Sequence, residues 1–132
     1  MKRRNVLKTL FAAPAALFLP WAFRGRTSHK AKKIILLDSS VAGFRYYNGD
    51  KIWGRMKAGD HLHLVREPKN PFDYDAVEVY RGRDKLGYLP RSHNSAIAQM
   101  MDRGMMIRSK IQRLSKNSVP KERVGISVEM IV

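Results

Sequence analysis

The chain lacks several features that would define a catalytic function. It has no cysteine, which excludes a disulfide framework, a thiolate nucleophile and a cysteine-based zinc site. It also has no glycine-rich phosphate loop ending in lysine and no Gly-x-Ser-x-Gly nucleophile motif. Asp73, Asp75 and Glu78 could serve a metal-dependent nuclease, but Tyr80 stands where the usual lysine would follow. These absences predict a protein that is not an enzyme and needs no cofactor.

Metal-ligating residues are also few. His61 and His63 share one face of a predicted strand, a spacing that can bind a metal ion. Two histidines alone do not make a site, and His29 and His93 have no evident relation to them. The sequence therefore predicts no metal site.

Acidic residues are scarce, with 11 Asp and Glu against 26 Lys and Arg and a formal net charge of +15. The first 26 positions hold six basic residues and no acidic one, which leaves a net charge of about +9 on the remainder. Such an excess favours polyanionic partners such as nucleic acid, anionic lipid headgroups or an acidic polymer. The alternative is that the charge serves solubility alone.

No apolar run is long enough for a comfortable membrane span. The longest covers residues 10–23, whereas a spanning helix needs about 20 residues. It follows Arg-Arg-Asn-Val-Leu-Lys at residues 3–8, which is typical of a twin-arginine export signal. We predict a signal or anchor segment over residues 1–26, a linker over 27–33 and a folded domain over 34–132.

The predicted leader implies a periplasmic or envelope location, or a cytoplasmic one if the leader does not function. Pro20, Trp21 and Ala22 offer no Ala-x-Ala cleavage site, so an uncut leader would attach the domain to the membrane. An amphipathic or core helix is the alternative for this segment. Its prolines and its lack of a polar face argue against that alternative.

Hydrophobic alternation predicts six short strands and one helix in the folded part. The strand segments are 34–37 with an extension over 41–47, then 61–66, 76–80, 85–89, 105–114 and 125–132. The helix is predicted over 92–103, with Ser92 as its N-cap and Gly104 at its end. This pattern indicates a mainly β fold, a small and strongly curved sheet or β-barrel of about six strands.

Three stretches stand out from ordinary strand sequence, namely residues 43–49, 64–77 and 85–90. The second contains Arg-x-Pro-x-Asn-Pro-Phe-Asp, followed two residues later by Ala-Val. Together they resemble the HIRAN domain, which is found in DNA-repair helicases and as a stand-alone bacterial module. The similarity covers roughly residues 35–114. It implies a β-barrel related to the oligonucleotide-binding fold that captures the free 3′ end of single-stranded DNA.

The resemblance also implies, by position, which residues bind DNA. Tyr46 and Phe72 would stack on the terminal bases, and Asp73 would accept a hydrogen bond from the 3′ hydroxyl. The residues implied to hold phosphates are Arg45, Tyr47 and Asn70, with Lys85 or Tyr88 as further contacts. Phe72 stands where the family usually has tyrosine, so stacking survives but a hydroxyl contact is lost.

Elementary chemistry agrees with these roles but leaves alternatives open. Stacking on an aromatic ring contributes about 1–3 kcal/mol per base and tolerates any base. Alternatively, Phe72 belongs to the core and Asp73 caps the turn at Pro71, as aspartate often does. For the whole protein, the alternative is an exported, non-catalytic module that binds an envelope polymer or a protein. The sequence indicates no small-molecule substrate.

Overall fold

A computed structural model describes residues 32–132. The predicted export signal and most of the predicted linker lie outside these described residues, and so do the membrane attachment and location that depend on them. Within residues 32–132, no helix has both the length and the apolar character required to cross a bilayer.

Six strands and one α-helix form the described domain. The strands are β1 (Lys33–Ser40), β2 (His61–Arg66), β3 (Val77–Arg81), β4 (Asp84–Tyr88), β5 (Ile107–Leu114) and β6 (Val124–Ile131). The helix α1 spans Arg91–Asp102, and three 3₁₀ helices span Phe44–Tyr46, Gly49–Arg55 and Pro120–Glu122. The strands form one antiparallel sheet in the order β1-β6-β5-β2-β3-β4. The prediction of a mainly β fold with six strands is therefore confirmed.

The sheet curls until its two edges meet after the end of β1. Ala42 and Tyr88 exchange two backbone hydrogen bonds of 2.8 and 2.9 Å, forming an isolated bridge between the segment after β1 and strand β4. The fold is thus a curled sheet closed at one point, and not a barrel with a continuous ladder. The bridge requires a glycine in β4, because a Cβ on Gly87 would lie 2.2 Å from the Ala42 carbonyl oxygen.

We expect Gly87→Ala to destabilise the domain by about 2–5 kcal/mol, the combined cost of backbone strain and overpacking. Gly87 has a φ of +151°, and its neighbour is backbone that cannot move aside without breaking the bridge. Chemical denaturation measures the free energy of unfolding. Gly54→Ala is the matched control, because a Cβ there meets no atom within 4 Å. Equal stability of the two variants would contradict an essential role for the bridge.

The core lies inside the curl and is covered by α1. β3 buries Val77 and Val79, and β6 buries Ile126 and Val128, which are the faces that the alternation predicts. From α1, Ile97 packs into the same core. Removal of this apolar surface from water is the main favourable contribution to folding.

The predicted extension of the first strand is wrong. Residues 41–47 do not continue β1, because Gly43 adopts a left-handed conformation (φ +72°) and the chain then forms the 3₁₀ helix Phe44–Tyr46. The turn buries Phe44 completely, with its ring at an edge-to-face distance of 5.9 Å from Trp53. Burial of this large ring outweighs the strand preference of the aromatic residues around it.

The bounds of α1 also differ slightly from the prediction. The helix begins at Arg91, so Pro90 occupies the N-cap position and Ser92 lies inside the first turn without capping it. At the other end, Gly104 adopts a positive φ of 79°, as expected for a helix-terminating glycine. β5 begins at Ile107, two residues later than predicted.

Candidate nucleic-acid interface

A groove of about 580 Å³ opens where three segments meet. These are the turn after β1, the loop between β2 and β3, and the junction of β4 with α1. Six of the eight residues predicted to bind DNA line it, namely Tyr46, Tyr47, Asn70, Phe72, Asp73 and Tyr88. Arg45 and Lys85 are not in the lining but contact residues that are.

The loop between β2 and β3 is held by its own polar side chains. The Asn70 Oδ1 accepts hydrogen bonds from the backbone N–H groups of Phe72 (2.9 Å) and Asp73 (3.2 Å). The Asp73 Oδ1 then accepts one from the backbone of Asp75 at 3.0 Å. Asparagine and aspartate commonly stabilise turns in this way. Asn70 thus shapes the loop with its oxygen, and its Nδ2 donates to Glu67 Oε1 at 3.2 Å. Its phosphate contact stays a prediction.

Arg66 clamps the far end of the same loop. It donates to the carbonyl oxygens of Ala76 (2.7 Å) and Tyr74 (3.0 Å). The same guanidinium also binds both carboxylate oxygens of Asp102 at the end of α1, at 2.9 and 3.2 Å. These hydrogen bonds lower the pKa of Asp102 below its ordinary value. A planar, five-donor guanidinium is suited to joining a loop and a helix in this way.

Asp73 is part of the turn and also faces α1. Its Oδ2 accepts a hydrogen bond from Asn94 Nδ2 at 2.7 Å and lies 3.8 Å from Arg91 Nε. Arg91 also donates to the Phe72 carbonyl oxygen. The turn at Pro71 is capped by Asn70, whereas Asp73 caps the turn that follows it, so the interpretation of Asp73 as the cap of the Pro71 turn is wrong in its position. Each carboxylate oxygen can accept two hydrogen bonds, so capping leaves acceptor capacity free.

Two aromatic side chains in the groove lining are largely exposed. Tyr46 is 70% exposed and Phe72 is 83% exposed, so the interpretation of Phe72 as a core residue is wrong. The Arg45 guanidinium lies 4.8 Å from the centre of the Tyr46 ring and donates a 2.6 Å hydrogen bond to its hydroxyl. Exposed aromatic rings beside cationic groups are typical of surfaces that bind single-stranded nucleic acid.

Beneath the groove, Lys85 joins its aromatic wall to half-buried carboxylates. The Lys85 Nζ donates to the Tyr88 hydroxyl (2.8 Å), lies 3.4 Å from Glu78 Oε2, and sits 4.4 and 4.2 Å from the ring centres of Tyr47 and Tyr88. The Tyr88 hydroxyl in turn donates to Glu67 Oε2 at 2.8 Å.

Both Lys85 and Tyr88 have a raised pKa. Burial lowers the pKa of Lys85, but the Tyr88 hydroxyl and the Glu78 carboxylate outweigh that effect and raise it to about 12. Burial and the hydrogen bond to Glu67 raise the pKa of Tyr88 to about 12. Lys85 is therefore charged, and Tyr88 neutral, throughout the physiological range.

A comparison with protein families decides the family of this chain. The model described as the HIRAN domain matches residues 34–130, which extends beyond the region of resemblance and includes all of β6 except its last residue. The chain belongs to the HIRAN domain family. HIRAN domains are nucleic-acid-binding modules, so the coarse prediction of nucleic-acid binding holds for the family.

Two curated relatives carry a similar region within much longer chains. The Fanconi-associated nuclease 1 homolog of Oryza sativa subsp. japonica is 30% identical over 73 residues, which cover 52% of this chain and 7% of that protein. The helicase-like transcription factor of Oryctolagus cuniculus is 34% identical over 67 residues, covering 50% of this chain and 6% of the relative. The HIRAN region is therefore a small fraction of each relative.

Two solved structures share the fold. A protein from Lactobacillus plantarum superposes with a TM-score of 0.68 at 24% identity, covering 76% of this chain and 97% of that one. The HIRAN domain of human HLTF gives a TM-score of 0.54 at 22% identity, covering 75% and 77%. At these identities the likeness establishes the fold alone.

The HIRAN groove also contains residues that the sequence did not predict as ligands. Arg91 and Glu67 line it, and Arg66 and Asn94 hold its loop. The motif around residues 64–77 includes Arg66 and Glu67, but it does not indicate that they pair with Asp102 of α1 and Tyr88 of β4. Among residues 32–132, no group of three or more His, Asp or Glu side chains is arranged to hold a metal ion, so His61 and His63 gain no third ligand.

Proposed function

We propose that this HIRAN domain captures the 3′-hydroxyl end of single-stranded DNA in the groove and performs no chemistry on it. One observation carries the proposal: the groove combines exposed aromatic rings with two carboxylates, Glu67 and Asp73, in a strongly basic chain. The direction of the strand, with its 3′ end innermost, follows the family resemblance.

The aromatic rings supply affinity without sequence preference. Tyr46 and Phe72 belong to different segments and line the same groove, so each offers a ring face to a separate base. Each stacked base adds about 1–3 kcal/mol. Since every base has a flat face, the domain is expected to bind strands of any sequence.

The carboxylates favour a strand end over the interior of a strand. A phosphodiester group beside Glu67 and Asp73 would meet like charge, which is unfavourable. A terminal hydroxyl instead donates a hydrogen bond to a carboxylate, an interaction of about 1.5–3 kcal/mol. An internal linkage lacks that donor, so the strand is expected to enter by its end.

The phosphates farther from the end would meet arginines at the edge of the groove. Arg45 and Arg91 are both exposed, and Arg91 is one of the lining residues. Each phosphate that a cation neutralises releases counterions, so affinity falls as the salt concentration rises. For a single strand, each phosphate contact adds about −0.7 to the slope of log affinity against log salt concentration. With these two arginines we expect a shallow salt dependence, unlike that of a uniformly basic surface.

The test is binding of internally labelled single strands measured by fluorescence anisotropy. The strands carry a hydroxyl at both ends, a 3′ phosphate, a 5′ phosphate, or no ends at all in a circular form. We expect the 3′ phosphate and the circular form each to weaken binding about tenfold or more, because both lack the 3′ hydroxyl that donates to a carboxylate. The 3′ phosphate also adds negative charge. The 5′ phosphate is expected to have little effect. A ribonucleotide strand run alongside establishes whether the domain distinguishes DNA from RNA.

Asp73→Asn provides the variant, because asparagine keeps an oxygen for the Asp75 N–H. Its NH2 group replaces the oxygen that accepts from Asn94 and faces Arg91, so the charge, that hydrogen bond and the ion pair are all removed. The preference for a 3′ hydroxyl over a 3′ phosphate is expected to disappear in this variant. Equal binding of all four strands by the unaltered domain, with steep salt dependence, would reduce the proposal to a basic surface. No binding at all would favour a protein or envelope-polymer partner.

A further inference from the structure

Tyr74 is an exposed aromatic residue beside the groove that the proposed end capture does not use. Its side chain is 78% exposed and is not part of the groove lining. Among the described residues, only Phe72 and Tyr46 expose their aromatic side chains to a comparable degree. Those two residues already have a proposed stacking role, whereas nothing in the fold requires an aromatic ring at position 74.

The backbone beneath Tyr74 is fixed in the same way as the backbone beneath Phe72. Arg66 donates to the Tyr74 carbonyl oxygen at 3.0 Å, and Arg91 donates to the Phe72 carbonyl oxygen. Between them, Asp73 turns toward Asn94 in α1. Two arginines thus fix the backbone from which two exposed rings project. Such an arrangement lowers the entropy lost when a ligand stacks on the rings.

We propose that Tyr74 stacks on a base of the same strand, one that lies outside the groove, so that the bound segment extends past Phe72. The inference rests on the proposed function, since it requires a single strand held in the groove. A nucleic acid suits this position because Tyr74 lies two residues from Phe72, on the loop that lines the groove, so a strand held in the groove continues past it. The charges around Tyr74 are of both signs, since Asp73 and Asp75 flank it and Lys69 is exposed in the same loop. Stacking on a ring does not require a basic neighbour.

The experiment scans a short single strand with a 3′ hydroxyl for the base that Tyr74 contacts. An abasic site is placed at each position in turn, counted from the 3′ end, and affinity is measured for the unaltered chain, Tyr74→Leu and Tyr74→Phe. We expect one abasic position outside the terminal bases to cost the unaltered chain about tenfold in affinity. The same position is expected to cost Tyr74→Leu almost nothing, while Tyr74→Phe behaves like the unaltered chain.

Several outcomes would overturn the inference and leave end capture intact. Identical abasic profiles for Tyr74→Leu and the unaltered chain would mean that the ring contacts no base. A uniform loss at every position, including strands of only two nucleotides, would mean that Tyr74 shapes the loop. Affinity for every strand equal to that of the unaltered chain would leave the ring free for a protein partner. Failure of the unaltered chain to prefer a 3′ hydroxyl would instead overturn the proposed function, and with it this inference.

Discussion

Phe72→Ala is expected to weaken binding of single-stranded DNA by about tenfold to a hundredfold, because one stacked base contributes about 1–3 kcal/mol. The free energy of unfolding is expected to change by no more than about 0.5 kcal/mol. The two effects separate because the ring is 83% exposed, while the Phe72 backbone makes the contacts that order the loop. Anisotropy and chemical denaturation on the same variant measure the two quantities.

Three further variants identify the origin of that loss. Phe72→Tyr keeps an aromatic ring and is expected to bind at least as well as the unaltered chain. Phe72→Leu keeps apolar surface without a ring, so it is expected to resemble Phe72→Ala. Val65→Ala removes a half-exposed apolar side chain that is not in the groove lining and serves as the control for affinity. Full affinity in Phe72→Leu would contradict stacking and indicate a merely apolar contact.

The loop of the groove shows how far local sequence can predict a site. Asparagine and aspartate on either side of Pro71 and Phe72 indicate a tight turn, because prolines withhold ladder hydrogen bonds and these side chains bond to nearby backbone. The turn could therefore be predicted, whereas the exposure of Phe72 could not, because the same residues also allowed its burial in the core. The contacts from Arg66 and Arg91 could not, because they depend on the packing of α1 against the loop.

The turn after β1 shows where periodicity fails. Phe44, Tyr46 and Tyr47 are all residue types that favour strands, and they follow directly on a true strand. Their environments in the fold differ. Phe44 is fully buried and Tyr46 is exposed. The Tyr47 ring packs edge-to-face against Tyr88, with 5.9 Å between the ring centres. Tertiary packing decides among these outcomes, and no local pattern distinguishes them. Gly43 was the one local signal that the strand would bend.

Charge alone also fails to tell a ligand from a supporting residue. Lys85 and Arg91 are both cations near the groove, and position in the family motif implied only Lys85 as a contact. The structure places Arg91 in the groove lining and Lys85 below it, against Glu78 and two tyrosine rings. The two residues are therefore expected to affect binding in different ways.

Lys85→Met is expected to lower affinity for single-stranded DNA without changing its salt dependence, because Lys85 contacts Tyr47 and Tyr88 and lies outside the groove lining. Arg91→Gln keeps a hydrogen-bond donor and removes a charge, so it is expected to reduce the slope of log affinity against log salt by about 0.7. Anisotropy titrations over a salt series distinguish the two. A reduced slope for Lys85→Met would contradict the supporting role and restore Lys85 as a phosphate ligand.

Lys85→Met is also expected to change the stability of the domain, by an amount that depends on pH. The pKa of Lys85 rises from 10.5 to about 12 in the folded domain, which corresponds to about 2 kcal/mol of stabilisation at neutral pH. Because the folded pKa is the higher one, this stabilisation is complete below pH 10.5 and is lost as the pH rises toward 12. Lys85→Met should therefore be less stable than the unaltered chain at pH 8, and the difference should shrink by pH 11.5. A difference that stays constant over this range would show that methionine disturbs packing and that the charge of Lys85 contributes nothing.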